Sequence, residues 1–119
     1  MKTLTELTIK RSEWLTPETW QADKCSFLVD ARGFKCCLGF ACIALGQYKN
    51  SIVEECYPSD VCTETNQFAN FHQDGSCTNT EFSQLAMSIN DNDKITREQR
   101  ESALVDLFDT HGINLTFVD

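Results

Sequence analysis

The stretch "CCLGFACIALG", residues 36 to 46, constrains the fold more than any other part of the chain. It is apolar on every side, so it must be buried, yet it is too short and too interrupted by glycine to span a bilayer. It follows the turn-like "ARGF", in which Gly33 suits a positive φ, and reads as a buried helix closing near Gly46. Two features stand out within it. Gly39 is costly in a helix and calls for a reason, and Cys36 and Cys37 stand side by side with Cys42 five residues on.

A domain must assemble around that helix. The 119 residues suffice for one real core, and a hydrophobic content of 41% with eight Phe argues against global disorder. We expect a single globular domain over residues 1 to 119. "TELTIKR" alternates as a short strand with Thr5, Leu7 and Ile9 on one side, although Leu4, Leu7, Arg11 and Trp14 also fit a helical period. Thr16 and Pro17 fit the start of a short helix carrying Trp20. "SFLVD" reads as a central strand, and "SIVEEC" as a helical turn stopping before Pro58. Residues 60 to 79 are rich in Asn, Thr and Gln and read as a long polar loop. "NTEFSQLAMSIN" places Phe82, Leu85, Ala86 and Ile89 at helical spacing. "TREQRESALVDLFDTHG" is a helix opened by a Thr96 and Gln99 capping box, with Leu104, Leu107 and Phe108 on one face. "INLTFV" alternates as a terminal strand. The fold class expected is α+β: a small antiparallel or mixed sheet of N-terminal, central and C-terminal strands, packed with about three to four helices.

Charge narrows the function. Residues 1 to 59 carry seven acids and seven bases, whereas residues 60 to 119 carry eleven acids against three bases, so the net charge of −8 lies wholly in the second half. That field repels phosphate and attracts basic surfaces, which argues against ordinary direct nucleic-acid binding and permits contact with a basic protein. The acids nominated for such contact are Asp91, Asp93, Glu98, Glu101, Asp106 and Asp109. A plain solubilising surface is the simpler account of the same charge. No membrane segment is evident, and the N-terminus lacks the apolar core and cleavage site of an export signal, so a cytoplasmic location is expected.

The chemistry open to the cysteines follows from that compartment. Seven cysteines without a secretory signal are expected to be thiols, and an unbridged cysteine packs as a small hydrophobe. A thiol-dependent enzyme using Cys36 or Cys37 is conceivable, because a helix N-terminus lowers a thiol pKa and Lys35 would add to the effect. Against it, adjacent helical residues diverge by about 100°. The histidines available as a base are His72, in the polar loop, and His111, at a helix end. Packing is the favoured reading. Cys56, Cys62, His72 and Cys77 form a loose set that could hold zinc, but their spacing is not a recognised pattern, and no cofactor is predicted. A second functional class is a small-ligand binder sequestering a nucleotide signal, built from Arg11, Trp14, Arg32, Lys35 and Gly39. In that class Trp14 is more simply a core anchor. "SINDND" reads as a capping turn in preference to a calcium loop.

Taken together, "RSEWL", "GFKCCLGFACIALG" and "SIND", followed by an amphipathic helix and strand, resemble a group of small bacteriophage and prophage proteins with a CCLG motif. The matching positions are Arg11, Ser12, Trp14, Cys36, Cys37, Leu38, Gly39, Asn90 and Asp91. The cysteines at 25, 56, 62 and 77 and the Asn-rich loop depart from that pattern. No catalytic activity is established for the group, so the resemblance implies a setting: a noncatalytic accessory protein in the cytoplasm of an infected bacterium. Such a protein would bind and inhibit a host component, for instance a defence or nucleic-acid-processing protein with a basic surface.

Overall fold

The structure, a computed structural model, describes residues 4–20, 28–46, 54 and 80–119. Near the N-terminus, β1 (Glu6–Lys10) turns Leu7 and Ile9 inward and Glu6, Thr8 and Lys10 outward, as a strand with one buried face must. At the far end of the chain, β2 (Asn114–Val118) pairs with it in parallel, with Glu6 opposite Asn114 and Lys10 opposite Val118. Almost the whole chain is therefore the crossover between two neighbouring strands. Ile113 and Leu115 are buried and Phe117 packs against the same core.

The sheet expected from sequence is corrected here in two respects: it is parallel, and among the described residues it has two strands, not three. Over the described part of the central segment, from Leu28 on, no strand forms, because the chain reverses at once. Asp30 Oδ1 accepts from the backbone N–H groups of Arg32 and Phe34, both at 2.9 Å, and Gly33, at a φ of 93°, donates to the Asp30 carbonyl at 3.0 Å. These local bonds consume the groups a strand would offer to a neighbour. What remains is an isolated antiparallel bridge between Val29 and Lys35 and a parallel one between Trp14 and Lys35.

Helix α1 (Cys37–Ala44) lies against that reversal, burying Cys37, Leu38, Gly39, Ala41 and Cys42. Its glycine is now accounted for. A Cβ built on Gly39 would overlap the Leu28 carbonyl oxygen and sit 2.7 Å from the Leu28 carbonyl carbon and 3.2 Å from its Cα. Helix and chain approach too closely for any side chain.

Helix α2 (Thr80–Asn90) buries Phe82, Ser83, Ala86, Met87 and Asn90. The stripe is turned one position from the expected one, leaving Leu85 45% exposed, because Asn90 is drawn into the core by hydrogen bonds. Helix α3 (Arg97–Thr110) opens on the expected capping box, with Thr96 Oγ1 accepting from the Gln99 N–H and Gln99 Oε1 accepting from the Thr96 N–H. It buries Arg100, Leu104 and Phe108 at successive i, i+4 positions. Phe108 meets Phe82 edge-on at 5.1 Å between centroids, which joins α3 to α2. With these three helices stands a short 3-10 turn at Arg11–Glu13. Of the helix expected after Thr16, the described residues show one turn, in which Thr19 and Trp20 both donate to the Thr16 carbonyl, and the rest of the segment lies outside them. The "SIVEEC" turn and the polar loop at 60 to 79 fall outside the described residues, apart from Glu54. Among the described residues, no helix is long and apolar enough to cross a membrane.

Candidate functional site

The three motif segments meet at one side chain. Asn90 Oδ1 accepts from the Trp14 indole N–H at 2.8 Å and from the Cys37 backbone N–H at 3.1 Å. Its Nδ2 donates to the Leu15 carbonyl at 2.9 Å and to Asp91 Oδ1 at 3.1 Å. All four hydrogen-bonding valences of the amide are used, as burial requires. The Cys37 N–H belongs to the first turn of α1, where helical N–H groups lack an internal acceptor. Asn90 supplies that acceptor from another helix, while Cys36, at the N-cap, makes no side-chain capping bond. Trp14 also packs on Phe117, at 4.8 Å between ring centroids, so the node ties α1 and α2 to the sheet. "RSEWL", "CCLG" and "SIND" thus form a structural joint.

The thiols beside this joint are unsuited to nucleophilic work. Cys36, Cys37 and Cys42 are buried. Burial pushes the Cys36 thiol up to about 12, with the nearby Asp91 charge adding to the effect. Burial likewise raises Cys37, helped by Cys36 and Asp91. A reactive thiol needs the opposite shift. Cys37 Sγ instead makes a long contact of 3.9 Å to the Ala86 carbonyl. His111 stacks on Phe82 at 4.3 Å, engaged in packing at the end of α3.

The residues nominated for a nucleotide pocket are each already engaged within the fold. Trp14 and Gly39 are interior. Arg32 is paired with Asp30 at 2.7 Å and lies over the Phe34 ring. Lys35 is buried with its Nζ 2.9 Å from Glu13 and over Phe40. Arg11 grips Glu101 through two parallel bonds of 2.9 and 2.8 Å and reaches Asp119 at 3.0 Å. The Glu101 hydrogen bond is the main reason its guanidinium is held even further above the usual range. Each cation already has a carboxylate, so a phosphate would have to displace one.

The acids are sorted differently. Glu101 is taken up by Arg11, and Asp91 is half-buried at the Asn90 node. Asp93, Glu98, Asp106 and Asp109 are exposed. The two arginines of α3 face the other way. Arg97 donates to the Arg11 carbonyl at 2.9 Å and covers the Trp14 ring at 5.5 Å. Arg100, only 2% exposed, donates to the Asn92 and Ile95 carbonyls at 3.0 and 3.1 Å. Its Nη1 sits 2.8 Å from Glu18 Oε1, close enough for an ion pair though off the line of N–H donation. Burial, the largest single influence, would raise the Glu18 carboxyl, but Arg100 together with hydrogen bonds from the Glu18 backbone and Thr16 holds it below the usual range. The fully exposed charges of α3 are consequently all negative.

Beside that face runs an open groove of about 500 Å³. One wall is α3, through Glu98, Glu101, Ser102, Val105 and Asp106, and the other is β2, through Leu115, Thr116 and Phe117. Arg11 spans the two, bonded to Glu101 and lying 5.9 Å from the Phe117 ring centroid. Among the described residues no group of three or more metal-binding side chains comes together, and the proposed zinc set Cys56, Cys62, His72 and Cys77 lies outside them. Comparison with family models, with curated proteins and with solved structures returns no match.

Two elements of this site are missed by sequence reasoning, and both left a trace. Asn90 continues the Phe82 and Ala86 stripe at i+8 and i+4, where a polar residue must be bonded. Arg100 precedes Leu104 and Phe108 on the same face, where a cation must be bonded too.

Proposed function

We propose that the chain is a noncatalytic bacteriophage accessory protein that binds a host protein through the acidic outer face of α3 and inhibits it. The carrying observation is the sorting of charge on that helix, with Arg97 and Arg100 turned into the fold and Glu98, Asp106 and Asp109 turned out. A helix that turns its cations inward, Arg100 toward Glu18 and the half-buried Arg97 onto the Arg11 carbonyl, presents a negative outer surface, complementary to a basic site on a defence or nucleic-acid-processing protein. The same field disfavours nucleic acid as the direct ligand. Two further observations support a binder over an enzyme or a nucleotide trap: the thiols are buried with raised pKa values, and the nominated cations are already paired.

The test is capture and inhibition of host proteins by the wild-type chain and by a Glu98→Lys, Asp106→Lys variant, at low and at high salt. The reading requires that wild-type capture weaken with salt, and that the variant keep its melting temperature while losing both capture and inhibition. A variant that captures and inhibits as well as the wild type would show that this face is not the site.

A further inference from the structure

We infer that the groove between α3 and β2 takes a basic, extended segment of the partner, which adds as a third strand to the outer edge of β2. This rests on the proposed acidic-face function and specifies how the partner is held.

The backbone supplies the first reason. In a parallel ladder, alternate residues turn both N–H and C=O toward the neighbouring strand. Asn114 N–H donates to the Thr5 carbonyl, and the register runs from Glu6 opposite Asn114 to Lys10 opposite Val118. Leu115 and Phe117 therefore direct their N–H and C=O groups away from β1, and among the described residues no backbone bond reaches them. Three consecutive residues of β2 line the groove, although their side chains alternate between faces, so the groove runs along this edge.

The edge strand itself also carries no protective residue. Natural edges carry lysine, proline or a bulge to deter pairing. The strand "NLTFV" has no charge, proline or glycine, in contrast with "ELTIK" of β1.

Charge selects the occupant. The groove rim holds Glu98 and Asp106, eight residues apart on α3 and so about 12 Å apart along its axis. An extended chain rises about 13 Å over four residues, so Lys or Arg at i and i+4 of an added strand fits that spacing. A second copy of this chain fits poorly, since each carries a net charge of −8 and pairing would bring two acidic rims together. Strand addition, in which main-chain bonds give affinity and side chains give specificity, is an established mode of peptide recognition.

The test uses two synthetic nine-residue peptides alternating Lys or Arg with Val or Thr. They are identical except that the second is N-methylated at alternate backbone positions, which preserves its charge and removes the donors needed for pairing. Binding is followed by titration and by hydrogen exchange at individual amides. The expected result is that the unmodified peptide binds the wild type, and that N-methylation weakens it by about tenfold or more, the equivalent of roughly one net backbone hydrogen bond. It should also slow exchange at the Leu115 and Phe117 amides, and bind the folded Glu98→Lys, Asp106→Lys variant at least about tenfold less well. Equal, salt-sensitive binding of both peptides overturns strand addition and leaves the acidic-face function standing. Failure of both peptides, with host capture still abolished by the charge reversal, overturns strand addition alone. Failure of both with capture unaffected by the reversal overturns both readings. A peptide-free dimer that itself protects Leu115 and Phe117 overturns the inference in favour of self-pairing.

Discussion

Replacing Asn90 with alanine removes the acceptor shared by the Trp14 indole and the Cys37 amide and the donor to the Leu15 carbonyl. Trp14 and Cys37 are fully buried, so water cannot take over without opening the core. An unsatisfied buried group costs about 1–3 kcal/mol, and the two stranded donors together about 2–6 kcal/mol. That is a large part of the roughly 5–15 kcal/mol that holds a domain folded. The assay is equilibrium unfolding in urea, read by tryptophan fluorescence. At an m-value of about 1.5 kcal/mol per M, the midpoint should fall by at least about 1.3 M with the slope unchanged. A companion Asn90→Asp keeps acceptor oxygens but replaces the donor facing Leu15 and places a charge beside Asp91, so it should be no better at neutral pH. An Asn90→Ala midpoint within about 1 M of wild type would refute the node as the joint between the motifs.

Gly39→Ala sets two effects against each other: alanine favours a helix by about 1 kcal/mol, whereas overpacking against Leu28 costs about 1–3 kcal/mol or more. The structure predicts net destabilisation in thermal or urea unfolding, and a more stable variant would contradict the close approach. Cys36 and Cys37 should resist iodoacetamide at pH 8 in the native state and react on unfolding, as read by peptide mass spectrometry. Because folding raises these thiol pKa values, their contribution to stability is fully present below the unfolded thiol range. It should be lost as pH rises from about 9 toward the folded value of about 12 for Cys36. Glu101→Lys should lower the melting temperature by opposing Arg11, while Asp106→Lys, on the exposed side of the same helix and away from its first turn, should leave it nearly unchanged.

What was legible in the sequence was local. The Thr96 and Gln99 capping box, the Gly33 turn and the alternation of Leu7 with Ile9 each depend on residues within a few positions, and each takes the expected form. Strand direction was not legible, since "LTI" and "LTF" alternate identically whether the strands run parallel or antiparallel. That choice is set by the path of the chain between them. The central strand was lost to Asp30, whose side chain satisfies the turn amides. Asn90 looked like a capping residue because its partners, Trp14 and Cys37, lie 76 and 53 residues away. The acidic half was visible as a count, but the sorting of its charges between fold and surface was not. Only the fold separates Glu101, held by Arg11, from Glu98 and Asp106, and only the fold withdraws Arg97 and Arg100 from the surface.

The most direct measurement is the dissociation constant of the captured host protein for the wild type and for the Glu98→Lys, Asp106→Lys variant, across a series of salt concentrations. Because screening acts on exposed charges over a Debye length of about 10 Å at 0.1 M, wild-type binding should weaken steeply as salt rises. The variant should bind at least about tenfold more weakly at low salt, with a flatter salt dependence and an unchanged melting temperature. Equal dissociation constants for the two proteins at every salt concentration would contradict the assignment of function to the outer face of α3.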